Sequence, residues 1–94
     1  MTPEGLVVAA IKKEVALLGG EVRKCQWVGH NGAPDLFIML WGHHLWLEVK
    51  TEKGRLSEGQ KREIGRMRDA GCDVFVVYGL RQAINAIHNW AEAL

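Results

Sequence analysis

The hydrophobic pattern of this chain changes period several times, and each change marks an element. Val7, Ile11, Val15 and Leu18 recur at the spacing of one helix face. Thr2-Pro3-Glu4 opens that helix with a hydroxyl cap, a proline at the first helical position and an acid in the first turn, and Gly19-Gly20 closes it. Glu21 to Val28 alternates without a clean apolar face, as a strand near an edge or beside a site would. Gly29 to Pro34 is a polar loop, in which Pro34 biases Ala33 away from helix and delivers Asp35 into the next strand. Two strands follow, Asp35–Trp41 and His44–Lys50, joined by Gly42-His43, a Gly-X pair suited to a type II′ hairpin turn.

Beyond a charged loop from Thr51 to Leu56, the run Ser57-Glu58-Gly59-Gln60 has the form of a capping box. It predicts a helix that turns Ile64 and Met67 inward and stops near Gly71. Asp73 to Tyr78 is a continuous apolar run, the mark of an interior strand covered on both faces. The helix-length connection predicts that it lies parallel to Leu45–Val49 through a right-handed crossover. Leu80, Ile84, Ile87, Ala91 and Leu94 form a last helical stripe. The order is α-β-β-β-α-β-α, an α/β fold with a mixed central sheet flanked by helices. Ninety-four residues suit one domain over positions 1–94 with a single core.

The hairpin carries the chemistry. A Gly42-His43 turn pairs Trp41 with His44, Met39 with Trp46, Phe37 with Glu48 and Asp35 with Lys50, all projecting from one face. The other face, Leu36, Ile38, Leu40, Leu45, Leu47 and Val49, is wholly aliphatic and belongs to a core. Asp35, Glu48 and Lys50 therefore gather at the open end, with Glu48 and Lys50 roughly 7 Å apart along their strand. Carboxylate oxygens are hard ligands of the kind Mg²⁺ takes while keeping waters and room for a substrate phosphate. Lys50, beside them, is placed to position water or stabilise charge more than to act as a strong base.

Composition adds limits. The formal net charge is +1, so global charge says little about partners, but Lys50, Lys53, Arg55, Lys61, Arg62, Arg66 and Arg68 are seven of the twelve basic residues. That block is read either as a solvated face diluted by Glu52, Glu58, Glu63 and Asp69 or as a phosphate-contact surface, and its position beside the carboxylates favours the second. Cys25 and Cys72 have no metal-ligand spacing and are expected to be reduced thiols of a cytoplasmic protein. No membrane span or secretory signal is expected. His43 and His44 fall at the turn end, far from the carboxylates; His30 and His88 have no ligand spacing. Trp41, Trp46 and Trp90 suit either a core or a subunit interface, and Trp27 either a core or a stacked base.

Gly32-Ala33-Pro34-Asp35, Glu48-Val49-Lys50 thirteen positions after the aspartate and a glutamine on the next helix resemble the PD-(D/E)xK nuclease superfamily, most closely a minimal stand-alone VRR-NUC domain. The resemblance implies a restriction-endonuclease-like fold and metal-dependent endonucleolytic cleavage of DNA. It implies that Asp35, Glu48 and the backbone carbonyl of Val49 bind Mg²⁺ or Mn²⁺, that Lys50 orients or activates water, and that Gln60 supports the site. Glu4, otherwise a first-turn acid favoured by the helix dipole, matches the family's N-terminal helix acid. Gln60 has two readings, capping-box residue or site residue, and serving the site is expected to require leaving the cap. Lys53, Arg55, Lys61 and Arg62 are the expected DNA contacts. Stand-alone members imply a homodimer cutting branched DNA such as a four-way (Holliday) junction, in a phage or its bacterial host. The rival expectations are a non-catalytic DNA-binding or adaptor module and, more distantly, an RNA-processing nuclease.

Overall fold

A computed structural model describes residues 2–94. Its elements are α1 (Pro3–Leu17), β1 (Glu21–Lys24), β2 (Leu36–Leu40), β3 (His43–Lys50), α2 (Glu58–Asp69), β4 (Val74–Tyr78) and α3 (Gly79–Glu92), in the expected order. The four strands lie in the order β1-β2-β3-β4, antiparallel for the first two pairings and parallel for β3 with β4.

The hairpin turns one residue earlier than expected. Trp41 (φ 53°) and Gly42 (φ 83°) are both left-handed, the signature of a type I′ turn, so β2 ends at Leu40 and β3 begins at His43. A tryptophan gives up about 1–2 kcal/mol in that conformation. Here the indole Nε1 of Trp41 donates to the carbonyl of Leu18 at 3.0 Å, tying the turn to the end of α1. The observed pairs are Phe37 with Trp46, Met39 with His44 and Leu40 with His43. Every partner is displaced by two from the Gly42-His43 register. Because the side-chain period is also two, no residue changes face.

The aliphatic face accordingly lies in the core. Ile38, Leu45 and Leu47 are completely inaccessible, and Leu36, Leu40 and Val49 nearly so, packed with Val7, Ile11 and Val15 of α1 and with Ala83, Ile87, Trp90 and Ala91 of α3. A smaller cluster of Ile64, Met67 and Val74, joined by Trp46, Val76 and Ala33, lies between α2 and the other face. Trp90 thus belongs to the core and is not available to a subunit interface. The α3 stripe sits about one position round from the expected one: Ala83, Ile87, Trp90 and Ala91 are inward, whereas Leu80 and Leu94 are exposed.

Two strand expectations need correction. β1 stops at Lys24, short of Val28: after one further bond, from Cys25 N–H to the Asp35 carbonyl, the chain turns into the loop, while its place at the sheet edge is as expected. β4 is the other edge and not an interior strand. Its apolar run reflects helices on both faces: Phe75 and Val77 meet the larger core, Val74 and Val76 the smaller.

Candidate active site

The site stands at the open end of the hairpin. β3 continues to Lys50, three residues beyond its last pairing with β2 at Leu36–Leu47, which leaves one edge of Glu48–Lys50 outside that ladder. Extending the register by one step sets Asp35 opposite Glu48, where the Gly42-His43 turn would have set it opposite Lys50. Asp35, Glu48 and Lys50 nonetheless share a neighbourhood.

Glu48 is its centre. A glutamate only 8% exposed is unusual. Its Oε2 lies 3.7 Å from Lys50 Nζ and accepts a long hydrogen bond, 3.4 Å, from Gln60 Nε2. Burial pushes its pKa above the ordinary carboxylate range; the Lys50 ammonium pulls the other way, and the charges of Asp35 and Glu4 add to the upward push. Glu4, at the start of α1, is therefore within electrostatic reach of the site. So disposed, three carboxylates, Asp35, Glu48 and Glu4, face two ammonium groups, Lys50 at Glu48 and Lys24 at Asp35.

Gln60 completes the capping box and reaches Glu48 at once. Its Oε1 accepts from the Ser57 backbone N–H at 2.9 Å, its own N–H donates to Ser57 Oγ at 3.1 Å, and its Nε2 faces Glu48. The capping box fixes which end of the amide turns to the carboxylate. Leaving the cap is unnecessary.

The loop before Asp35 is clamped from several directions. Cys25 N–H donates to the Asp35 carbonyl at 2.7 Å and Trp27 Nε1 to the Pro34 carbonyl at 2.8 Å. The Trp27 ring packs on Trp46, centroids 4.9 Å apart, and so anchors the loop while remaining 38% exposed. Gly32 (φ 85°) passes so close to α2 that a Cβ there would sit 2.9 Å from backbone atoms of Gly59 and Gln60. His30 Nδ1 is 3.3 Å from the buried Glu63 of α2, a further tether. The Asp35 side chain itself is half exposed, with Lys24 Nζ at 3.9 Å.

The basic block divides. Arg68 donates to the Val74 carbonyl and Arg66 to Glu63, so both are structural. Lys61 pairs weakly with Glu58 on the surface. Lys53, Arg55 and Arg62 are exposed and, among the described residues, have no ion-pair partner within 4.0 Å. Arg55 and Lys61 line one cleft of about 380 Å³ with Leu56 and Tyr78. His43 and His44 lie at the turn end as expected, and His88 pairs with Glu14 at 2.7 Å.

Among the described residues no three His, Cys, Asp or Glu side chains form a group able to hold a metal. A cation here would draw on two carboxylates and complete its shell from a backbone carbonyl, water or a substrate phosphate, which is the habit of Mg²⁺. The all-oxygen donor set and the surplus of negative charge around Glu48 fit such an ion.

A family model described as the VRR-NUC domain matches residues 7–81, a span containing Asp35, Glu48, Lys50 and Gln60. The chain belongs to the VRR-NUC family. A solved structure named as a VRR_NUC domain is 38% identical with a TM-score of 0.87, over 96% of this chain and 99% of that one. A second, named as a VRR_NUC domain protein, is 18% identical with a TM-score of 0.79, over 98% of this chain and 90% of that one, and shares the fold. Among curated proteins nothing matches. VRR-NUC is a domain of the PD-(D/E)xK nuclease type, and nucleases of such families usually need a divalent metal. Glu4 precedes the matched span, so its place beside the VRR-NUC site rests on electrostatics alone. No helix among the described residues is long and apolar enough to cross a membrane.

Proposed function

We propose that this VRR-NUC chain is a Mg²⁺- or Mn²⁺-dependent endodeoxyribonuclease that hydrolyses phosphodiester bonds in branched DNA, such as a four-way junction, as a homodimer. The observation that carries the reading is Glu48: a buried, under-neutralised carboxylate aligned with Asp35, Lys50 and Gln60 in a chain of nuclease-type fold.

In this reading Asp35, Glu48 and the Val49 carbonyl hold the cation. When bound, it neutralises charge on the phosphate and lowers the pKa of the attacking water. The Lys50 ammonium, already 3.7 Å from Glu48, orients that water or stabilises charge developing on the phosphoryl oxygens. Gln60 holds Glu48 in one orientation, its own amide being fixed by Ser57. Glu4 adds negative charge that favours cation binding. Lys53, Arg55, Lys61 and Arg62 receive the DNA backbone on the α2 side.

The dimer is supported by an apolar hollow of about 370 Å³ at the turn end, where Phe37, Met39 and the 58%-exposed Trp41 lie together. The free thiols of Cys25 and Cys72 are in keeping with a bacterial or phage-infected cytoplasm. A non-catalytic DNA-binding module is the competing reading, and what favours it is the small size of the domain and its modest net charge of +1. The deciding experiment incubates pure protein and its Glu48→Ala variant with Mg²⁺ or Mn²⁺ and linear, nicked, flapped or four-way DNA. Products from the parent alone are expected. Equal cutting by the variant refutes the site, and binding without products on any DNA form supports the module. The mass of the same preparation in solution tests the dimer.

A further inference from the structure

The carboxylate site has a second basic wall that lies outside the Lys50–Arg68 block. Lys24 is the last residue of β1, paired with Leu36 and thus one step from Asp35 across the strands. Glu4, Val8 and Lys12 recur at four-residue spacing and share a face of α1. These residues and Lys24, with Thr2 and Gly5, line a cleft of about 450 Å³ between α1 and β1. One end holds Glu4, whose charge reaches Glu48; the other holds Lys12, roughly 12 Å along the helix axis.

We propose that this α1–β1 cleft is a phosphate-binding channel in which Lys24 and Lys12 hold the DNA backbone beside the ester to be cut. The proposal rests on the nuclease reading and names the path by which the substrate strand reaches the site.

The carboxylate lining the cleft, Glu4, stands at the end whose charge reaches Glu48, Lys12 stands at the other, and Lys24 lies beside Asp35. Lys24 now rests against Asp35 at 3.9 Å, with side chains 70% and 52% exposed. An exposed pair of that length is worth little. Once Asp35 is engaged by a cation, its charge is spent, and Lys24 is left on a strand edge with its ammonium facing the cleft. A phosphate oxygen is the anion that the chemistry of this site brings there. Lys12 is exposed and, among the described residues, has no ion-pair partner within 4.0 Å. Arg55 and Lys61 line a separate cleft at the connection to α2, with Glu52 and Tyr78.

The test reads binding and not cleavage. Fluorescence anisotropy with labelled four-way and duplex DNA is measured against salt, with Ca²⁺ replacing Mg²⁺, for the parent, for Lys12→Ala/Lys24→Ala and for Lys13→Ala, an exposed α1 residue outside the cleft. Each lost phosphate contact removes about 0.9 from the slope of log affinity against log salt. The double variant is expected to lose close to twice that and to bind about tenfold more weakly or worse, while Lys13→Ala matches the parent. Lys24→Arg should restore most of the single-site loss. An unchanged slope in a folded double variant overturns the channel and leaves the nuclease reading standing. An equal loss in Lys13→Ala also overturns it, by showing a general charge effect. A parent that binds no DNA in any salt overturns both.

Discussion

The two ends of the β2–β3 hairpin share one aliphatic underside but differ on the opposite face. At the turn end a large aromatic, Trp41, stands 58% exposed, whereas at the open end a glutamate is only 8% exposed. Each is the reverse of what stability alone favours, since exposed aromatic surface and buried charge both cost free energy. The turn end repays its strain locally, through the Trp41–Leu18 hydrogen bond. The open end is less fully compensated: Lys50 and a long bond from Gln60 serve a buried carboxylate that Asp35 and Glu4 also repel, and Lys24 reaches Asp35 only at 3.9 Å on the surface. The same rigid strands thus present a covering surface at one end and a cation-seeking one at the other.

The sharpest way to break the contrast is to remove the charged end. Asp35→Ala, Glu48→Ala and Lys50→Ala should each lower cleavage by about 10²- to 10³-fold, the scale of losing one essential electrostatic contact in a reacting site. Folding and DNA binding should survive. Trp41→Ala at the turn end should leave the site's chemistry intact and act on subunit association. Gel-based cleavage and solution mass, measured on all four, would separate the ends; comparable cleavage by Glu48→Ala and Trp41→Ala would erase the distinction.

Glycines give the next largest effect. Gly32 and Gly42 are both left-handed, but a Cβ on Gly32 would strike the Gly59–Gln60 backbone at 2.9 Å while one on Gly42 meets open space. Gly42→Ala should therefore cost about 1 kcal/mol of conformational strain. Gly32→Ala adds a backbone clash that has no flexible partner to yield, and should cost about 2–3 kcal/mol. It should also impair cleavage, because the loop it displaces carries Asp35. Urea unfolding of the two variants decides the point, and equal midpoints would mean that the loop is not seated on α2.

How much of this was legible beforehand follows from what each pattern encodes. The buried hairpin face was readable because alternation survives any even slip of register; the turn was not, because Trp41 enters a left-handed conformation under a long-range tie to Leu18 that no local pattern announces. The apolar run of β4 records helices on both faces and says nothing of how many strands flank it. Gln60 looked like a choice between cap and site because a letter does not show that an amide has two ends with separate partners. Lys24 was hidden for a similar reason: its nearness to Asp35 is set by pairing of β1 with β2, across a loop of ten intervening residues.

That double use of Gln60 predicts a coupled loss. Ser57→Ala removes the hydroxyl that accepts the Gln60 N–H, at a cost of about 1 kcal/mol typical of a lost cap. It also frees the side-chain amide to turn, so cleavage should fall by several-fold with little change in DNA affinity. Ser57→Thr, which keeps the hydroxyl, should recover both. A Ser57→Ala protein that loses stability but cuts at the parental rate would make the cap purely structural.

The smallest expected effect concerns Glu48 without any cation. Its pKa is raised in the folded state from the ordinary 4.5, chiefly by burial. Between that ordinary value and the raised one the folded protein therefore binds more protons than the unfolded chain, and stability falls as pH rises through the interval. Glu48→Gln cannot titrate and keeps an oxygen for Gln60. At neutral pH the variant should melt above the metal-free parent, and the gap should close on acidification below the carboxylate range. Added Mg²⁺ or Mn²⁺ should raise the melting temperature of the parent and leave that of the variant unmoved. A parent already more stable than Glu48→Gln at neutral pH without divalent ions would show that Lys50 and Gln60 fully offset the buried charge, and that the open end of the hairpin is no more in need of a partner than the turn end.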